Sequence, residues 1–152
     1  MIVLALPLGT ISTLPAQALR GKLVIDAANF WEPVDGPLPE YTDDPRGTSE
    51  VVRERLPGVR LVKAFNHLGY HDLDERGRPS GHPERIALAI AGDDQADVAA
   101  VAALVDEVGF DPVDAGPLAA GIRFQAFTPV FGVPMEAEEL AEFVGAEELA
   151  VS

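Results

Sequence analysis

Polar residues follow two apolar runs of this chain, at positions where they could contact a ligand. Asn66 and His67 come directly after the run at residues 60–65, and Asn29 closes an earlier run that begins at Lys22. In an open parallel sheet, ligands bind in the crevice at the carboxyl ends of the strands. We therefore predict that Asn29, Asn66 and His67 lie at a ligand site. The alternative is that the two asparagines only satisfy backbone groups at the strand ends.

Other kinds of site have weaker support in the sequence. His67 and His71 are four residues apart and could share a helix face, but the Glu of H-E-x-x-H and a third ligand are missing, so no metal site is predicted. Asp26 and Asp93 could form a carboxylate pair for hydrolysis, although capping and loop hydrogen bonds explain them more simply. The chain has no cysteine, which excludes thiolate chemistry. No serine lies in a nucleophile elbow.

The apolar runs alternate with helical patterns, which predicts an α/β protein with a mostly parallel sheet and flanking helices. The clearest helix runs from Gln95 to Val108, with Asp93 or Asp94 as its N-cap. Three shorter helices are predicted. The first is capped by Thr10 or Ser12 and has residues 16–20 as its second half, and the others comprise residues 48–55 and 135–144. The five predicted strands comprise residues 2–6, 22–29, 60–65, 86–91 and 110–114.

In a parallel sheet the polar strand ends would meet at one edge. The predicted ligand edge comprises Pro7-Leu8-Gly9, residues 26–29, Asn66-His67 and Gly92-Asp93. The segment at residues 30–47 contains four prolines, two glycines and five acidic residues, so neither a helix nor a central strand is predicted there. Such a segment is either a lid, with Trp31 covering the ligand, or a solvated surface loop.

Length and charge limit the class of protein. The chain has 152 residues, enough for one domain, with an α/β core at residues 1–133 and a C-terminal helix and acidic tail at residues 134–152. A net charge of -14 argues against binding to nucleic acid or to anionic membranes. Residues 1–8 lack the basic start of a signal peptide, and no run reaches the roughly 20 residues of a membrane span. A cytoplasmic protein is therefore expected.

Five sequence blocks occur in order over nearly the whole chain, at residues 3–7, 21–29, 62–66, 89–94 and 109–118. They read VLALP, GKLVIDAAN, VKAFN, AIAGDD and GFDPVDAGPL. Together these blocks resemble the NADPH-dependent coenzyme F420 reductase family. The resemblance implies a Rossmann-type NAD(P)-binding fold. It also implies hydride transfer between NADP(H) and coenzyme F420, a flavin or a similar acceptor.

The resemblance implies roles for individual residues. Leu6, Pro7 and Leu8, in the turn after the first strand, would lie along the nicotinamide half of the dinucleotide. Ala28 and Asn29 from the second strand end, and Asn66 and His67 from the third, would lie beside the nicotinamide ring and the space for the deazaflavin. His67 could donate a hydrogen bond to a carbonyl of the redox partner. Hydride transfer between stacked rings nevertheless depends more on positioning than on acid-base help.

One part of the family pattern is missing. Family members hold the pyrophosphate with a strand, a G-x-G-x-x-G turn and a helix, and no such glycine pattern occurs in this sequence. The resemblance therefore implies an N-terminally truncated domain with impaired hydride transfer. The alternative is a non-catalytic Rossmann-like remnant or interaction module. A first strand without its neighbour would be an open sheet edge, so a homodimer through Met1 to Leu6 is expected.

Overall fold

The computed structural model of the protein describes residues 1–145. These residues contain a five-stranded sheet in which the strands lie side by side in chain order. The strands are β1 (Ile2–Leu4), β2 (Leu23–Asp26), β3 (Arg60–Lys63), β4 (Ala87–Gly92) and β5 (Asp111–Gly116). The pairs β1–β2, β2–β3 and β4–β5 are parallel, and β3–β4 is antiparallel. The predicted α/β class with a mostly parallel sheet is confirmed.

The antiparallel pair divides the sheet into two halves, β1–β3 and β4–β5, whose strands run in opposite directions. Val62 pairs with Gly92, so the carboxyl end of β4 lies beside the earlier part of β3. Gly92 and Asp93 therefore lie away from the edge that holds Asn29 and Asn66, and the prediction that all strand ends share one edge was wrong. The chain leaves the sheet at the carboxyl end of β3 and enters it again at the same end to begin β4. The two strands therefore run in opposite directions.

Helices cover both faces of the sheet. Within residues 1–145 they are α1 (Ala16–Leu19), α2 (Glu32–Asp35), α3 (Pro39–Thr42), α4 (Thr48–Arg55), α5 (Tyr70–Glu75), α6 (Gln95–Glu107) and α7 (Ala137–Val144). Two 3-10 segments comprise Leu8–Thr13 and Leu118–Arg123. The predicted α6 is confirmed, and its N-cap is Asp94, whose carboxylate accepts hydrogen bonds from the backbone N–H groups of Ala96 and Asp97. The acidic tail predicted beyond Gly145 lies outside the described residues.

Two local predictions were wrong. The segment at residues 30–47 contains the single-turn helices α2 and α3, because their prolines stand in the first turn, where a missing N–H costs nothing. Thr10 and Ser12 do not cap α1. Residues 8–13 form their own 3-10 segment instead, and Pro15 occupies the N-cap position of α1.

Three clusters of buried side chains make up the core. One lies between β1–β3 and α4, and a second lies between β2–β4 and α6. The third packs the alanines of β4 and β5 against Leu140 and Val144 of α7. On the α6 side β1 remains largely uncovered, and Val3 is 49% exposed. This gap leaves a pocket beside the carboxyl ends of β2 and β3.

Candidate functional site

The two predicted asparagines are brought together by the ends of β2 and β3. The Nδ2 group of Asn29 donates a hydrogen bond to the backbone carbonyl of Asn66 at 2.8 Å. The Nδ2 group of Asn66 lies 3.4 Å from Asn29 Oδ1, a weak contact. The two carboxamides therefore lie together at the carboxyl edge of the parallel strands, where both donate to backbone carbonyls, as the structural alternative for these residues predicts.

Asn66 is the more buried member of this pair, with 2% of its surface exposed. Its Nδ2 group also donates to the backbone carbonyl of Phe124 at 2.8 Å, which fixes the orientation of the amide. Its Oδ1 atom is buried and has no hydrogen-bond partner among residues 1–145. Since buried polar atoms are nearly always paired, this unpaired acceptor marks a position where the fold has not been optimised for stability alone.

Phe65, immediately before Asn66, adopts an unusual backbone conformation. Its φ angle is 63°, in the left-handed region that disfavours a bulky side chain. Such a conformation costs on the order of 1–3 kcal/mol and tends to occur at functional sites. The strained residue redirects the chain at the end of β3, and the next residue, Asn66, then reaches Asn29.

The pair lines a pocket of about 430 Å³, which we call the β1 pocket. Asn29 and Asn66 are joined in its wall by apolar side chains from β1 and the residue after it, from α5 and from α6, namely Val3, Ala5, Leu73 and Leu104. The wall also includes Phe65 and Leu68. Small-molecule sites of this size are typically apolar with a few placed polar groups. The β1 pocket therefore combines a largely apolar wall with the two carboxamides as its placed polar groups.

The remaining predicted residues contribute less to this pocket. Leu8 is buried in the core cluster beneath α4, so only its backbone could face a ligand. Pro7 accepts hydrogen bonds at its carbonyl from the backbone N–H and the hydroxyl of Thr10. Leu6 packs against the same core cluster, and Ala28 is buried within it. These residues shape the turn beside the pocket and are not part of its wall.

His67 lies in the protein interior, with its ring edge toward Phe124 at a centroid distance of 5.8 Å. Its Nε2 atom accepts a hydrogen bond from the backbone N–H of Ala89 at 2.9 Å, so this nitrogen carries no proton. Burial, reinforced by the nearby Lys63, lowers the pKa of His67 to about 4. The ring is therefore neutral near pH 7 and joins β4 to the chain after β3.

A buried charged group at the same edge was missed by the sequence interpretation. The ammonium group of Lys63 donates to Ser49 Oγ at 3.1 Å, and the Ser49 hydroxyl donates to Asp26 Oδ2 at 2.6 Å. Burial lowers the pKa of Lys63, while Asp26 opposes this shift. The close approach of Leu118–Arg123 requires a glycine, since a Cβ at Gly121 would lie 2.7 Å from Lys63 Cδ. The sequence feature that could have identified this buried group is a lysine within an otherwise apolar strand.

The segment at residues 30–47 is tied to the turn after β1. Asp35 accepts hydrogen bonds from the backbone N–H of Gly9 at 2.9 Å and from that of Trp31 at 2.7 Å. Trp31 in turn stacks on Phe127, with ring centroids 6.2 Å apart and planes inclined by 18°. The aromatic part of this segment therefore has a defined position at the surface. That Trp31 covers a ligand stays a prediction.

Residues 1–145 contain no group of three or more histidine, cysteine or acidic side chains that could hold a metal ion. His67 and His71, which share a helical spacing in the sequence, are separated by burial, since His71 is exposed. In the same part of the chain, no helix combines the length and the apolar character needed to cross a membrane.

No protein-family model matches the chain. Among curated proteins, YjhV of Escherichia coli (strain K12) is 40% identical to it over 65 residues, which is 43% of this chain and 47% of that protein. The chain therefore spans about half the length of this relative. The partial match assigns no activity.

Two solved structures share the fold. A hypothetical protein from Sinorhizobium meliloti superposes with a TM-score of 0.72 and 30% identity, over 89% of this chain and 66% of its own. A protein from Arthrobacter sp. FB24, described as a "putative F420-dependent NADP reductase", superposes with a TM-score of 0.64 and 24% identity, over 80% of this chain and 57% of its own. Both are longer than the part that this chain matches. The comparison supports a Rossmann-type fold.

Proposed function

We propose that the β1 pocket is the nicotinamide-ring site of an NADP-dependent oxidoreductase that transfers hydride to a deazaflavin, a flavin or a similar acceptor. The observation that carries this proposal is the pair of interlocked carboxamides, Asn29 and Asn66, in the wall of an otherwise apolar pocket. A nicotinamide ring offers a flat apolar face and one carboxamide substituent. Its NH2 group can donate to Asn29 Oδ1, which receives only the weak contact from Asn66.

In this proposal the protein groups position the rings and move no proton. Hydride transfer between two heterocycles needs the reacting carbons close and aligned, and such alignment can contribute about 7–11 kcal/mol to lowering the barrier. Asn29 would orient the nicotinamide, and Asn66 would hold Asn29 and the loop at Phe124. His67 is a neutral, buried hydrogen-bond acceptor, which supports a structural role and not a general-acid role.

Ring contacts alone would give weak binding. The sequence contains no G-x-G-x-x-G turn to anchor the pyrophosphate, and its charge of -14 repels phosphate at long range. We expect millimolar affinity, equivalent to about -4 kcal/mol. Mixed with NADPH and oxidised coenzyme F420, the chain alone should not turn over at an enzyme-like rate. Steady loss of the deazaflavin absorbance that disappears in Asn66→Ala would show that the anchor is dispensable.

Two mononucleotides test the ring site without the anchor. Nicotinamide mononucleotide carries the carboxamide, and nicotinic acid mononucleotide replaces it with a carboxylate that has no donor. Nicotinic acid mononucleotide should bind more weakly than nicotinamide mononucleotide, both because its extra negative charge is repelled and because it lacks one hydrogen bond. The missing hydrogen bond should account for about 2- to 12-fold of the difference in affinity, beyond the effect of the charge. Asn29→Leu, which is close in size, should reduce the preference to the charge effect. An unchanged preference in Asn29→Leu would contradict the proposal.

We also propose, as a second function, that β1 pairs with β1 of another copy of the chain. Within residues 1–145, β1 pairs with β2 on one side and with no strand on the other, and Met1 and Val3 are exposed. The first charged residue of the chain is Arg20, so the edge carries none of the charges that normally prevent strand pairing. Sedimentation at micromolar concentration should show a dimer that Val3→Lys converts to monomer. A wild-type monomer, or a dimer that survives Val3→Lys, would contradict this proposal.

A further inference from the structure

A second cavity lies on the other side of the asparagine pair and shares no wall residue with the β1 pocket. It has a volume of about 340 Å³, within the range of small-molecule sites. We call it the aromatic cavity. It lies between the segment at residues 30–47 and the loop that follows Leu118–Arg123, and its wall includes Phe30, Tyr41, Thr48, Ile122, Gln125 and Phe127.

Thr48, in the wall of this cavity, carries a hydroxyl whose hydrogen is free to be donated. The ammonium group of Lys63 lies 3.5 Å from Thr48 Oγ1, on the buried side of that residue. The oxygen therefore faces a positive charge with its lone pairs, and its hydrogen has no acceptor among residues 1–145. A nearby cation polarises such a hydroxyl and makes it a better donor to a ligand.

Two further donors line the same space. Burial raises the pKa of Tyr41 to about 12, so its hydroxyl keeps its proton over the physiological range. The side-chain oxygen of Gln125 accepts a hydrogen bond from the backbone N–H of Thr48 at 3.0 Å, which leaves its NH2 group pointing away from that contact. In the described part of the chain, neither the Tyr41 hydroxyl nor the Gln125 NH2 group donates to an acceptor. The cavity thus presents unpaired side-chain donors, whereas the carboxylate in its wall, that of Asp44, is already bonded to Arg46.

The charge around the cavity disfavours anions. Arg46 is the cation in the wall, and it is already engaged by Asp44 at 2.8 Å and by Glu54 at 2.6 Å. These three side chains together carry one net negative charge. The Lys63 ammonium is similarly offset by Asp26, through Ser49. Among the described residues of this wall, a phosphate or carboxylate would meet no cation that lacks a carboxylate partner.

The outer wall is aromatic and flat. Phe127 is 73% exposed and has a φ angle of 68°, a left-handed conformation that a phenylalanine seldom adopts. This conformation presents the Phe127 ring to Trp31, which is 52% exposed, and the two rings stack at the edge of the cavity. Phe30 and Ile122 complete the apolar walls. Flat walls of this type favour a planar ligand.

We propose that the aromatic cavity binds an uncharged planar heteroaromatic compound whose ring carbonyls or ring nitrogens accept hydrogen bonds from Thr48, Tyr41 and Gln125. This site is independent of the nicotinamide site, since the two cavities have separate walls. The ligand class follows from three features together: donors without acceptors, compensated charge and flat aromatic surfaces.

Three bicyclic probes separate these features. Caffeine is uncharged and has ring carbonyls without N–H donors, uric acid is a related oxopurine that is an anion at neutral pH, and naphthalene has no acceptors. Amide chemical shifts of the ¹⁵N-labelled chain should move saturably with caffeine at Thr48, Gln125 and Phe127. Uric acid and naphthalene should bind at least several-fold more weakly. Binding of either as tightly as caffeine, or the absence of saturable shifts with caffeine, would overturn the proposal.

Matched variants locate the binding. Thr48→Val and Tyr41→Phe should each weaken caffeine binding about 2- to 12-fold, the range for one hydrogen bond, while Thr48→Ser, which keeps the hydroxyl, should retain it. Asn29→Leu should leave caffeine binding unchanged and alter only the mononucleotide preference. Dispersed amide spectra verify that each variant is folded. The assignment to this cavity is wrong if a folded Tyr41→Phe variant binds caffeine as tightly as the wild type does. It is also wrong if Asn29→Leu abolishes caffeine binding.

Discussion

The two halves of the sheet each bury one cation, and they neutralise it differently. In the β4–β5 half, Arg85 donates to Asp106 Oδ1 at 2.6 Å and to the carbonyl of Phe110 at 2.7 Å. Its Nε atom also lies 2.9 Å from Asp111 Oδ1, an ion pair without an aligned hydrogen bond. In the β1–β3 half, Lys63 reaches a carboxylate only through the hydroxyl of Ser49.

Unpaired polar atoms are more frequent on one side of this division. Of the three buried side-chain atoms without a hydrogen-bond partner among residues 1–145, Asn66 Oδ1 and His67 Nδ1 lie just after the carboxyl end of β3, beside the strained Phe65. The third, Arg85 Nε, lies just before β4 and faces Asp111 in an ion pair. The alanine-rich face of β4 and β5 is covered by α7. A protein that tolerates unpaired groups and strain at one edge gives up stability there, which is the expected pattern of a functional site. We infer from this difference that β4 and β5 contribute mainly to stability, while the carboxyl ends of β2 and β3 carry the candidate site.

The sharpest test of this difference replaces each buried cation with methionine. Arg85→Met should lower the free energy of unfolding by about 3–5 kcal/mol, because three backbone carbonyls, those of Arg78, Asp106 and Phe110, lose their buried donor. Lys63→Met should cost less, about 1–2 kcal/mol, since it also removes the unfavourable burial of the ammonium group and Asp26 keeps its bonds from Ser49 and Ala28. Urea titration measures both values.

Arg53→Met is the control for this pair, because Arg53 and its partner Asp93 are both exposed. It should cost about 1 kcal/mol or less. Equal losses for Lys63→Met and Arg85→Met would remove the distinction between the two halves.

The pH dependence of stability should reveal the buried His67. Its pKa in the folded protein, about 4, lies below the ordinary 6.5, so the folded state binds fewer protons than the unfolded chain between these values. The unfolding free energy therefore rises with pH across this window by about 3 kcal/mol, is fully gained above pH 6.5 and is lost below pH 4. His67→Gln should flatten this part of the profile. Superimposable profiles for variant and wild type would show that the ring is solvated.

Asn66→Ala should have a smaller effect on stability. The variant loses the hydrogen bond to the Phe124 carbonyl, but it also removes the unpaired Oδ1 atom, so the expected loss is about 1 kcal/mol. Thr128→Ala, which removes a hydroxyl bond to the Gln125 carbonyl, provides a control of similar size. A loss above about 3 kcal/mol would indicate that the edge is as fully bonded as the Arg85 region.

The sequence predicted the elements better than their direction. Continuous apolar runs identified the strands, and Asp94 with Gly109 marked the ends of α6. The reversal between β3 and β4 was not predictable in this way, because an apolar strand reads the same in either direction. Gly92 and Asp93 were misplaced for this reason.

Part of the site was predictable because it follows strand ends directly. Asn29 and Asn66 were identified from their positions after apolar runs, and the structure joins them. The aromatic cavity was not identified, since Tyr41, Thr48 and Gln125 come from distant parts of the chain and meet only through tertiary packing. The burial of His67 could not be read from its neighbours, because its partner is a backbone N–H on β4.

The most direct test of the central claim follows the side-chain NH2 resonances of Asn29 and Asn66 during titration with nicotinamide mononucleotide. Both groups are fixed by hydrogen bonds in the free protein, so their signals should be distinct. Saturable movement of the Asn29 signal, absent with nicotinic acid mononucleotide, is the predicted result. Binding of the nucleotide at other amides, with both side-chain signals unmoved, would contradict the account.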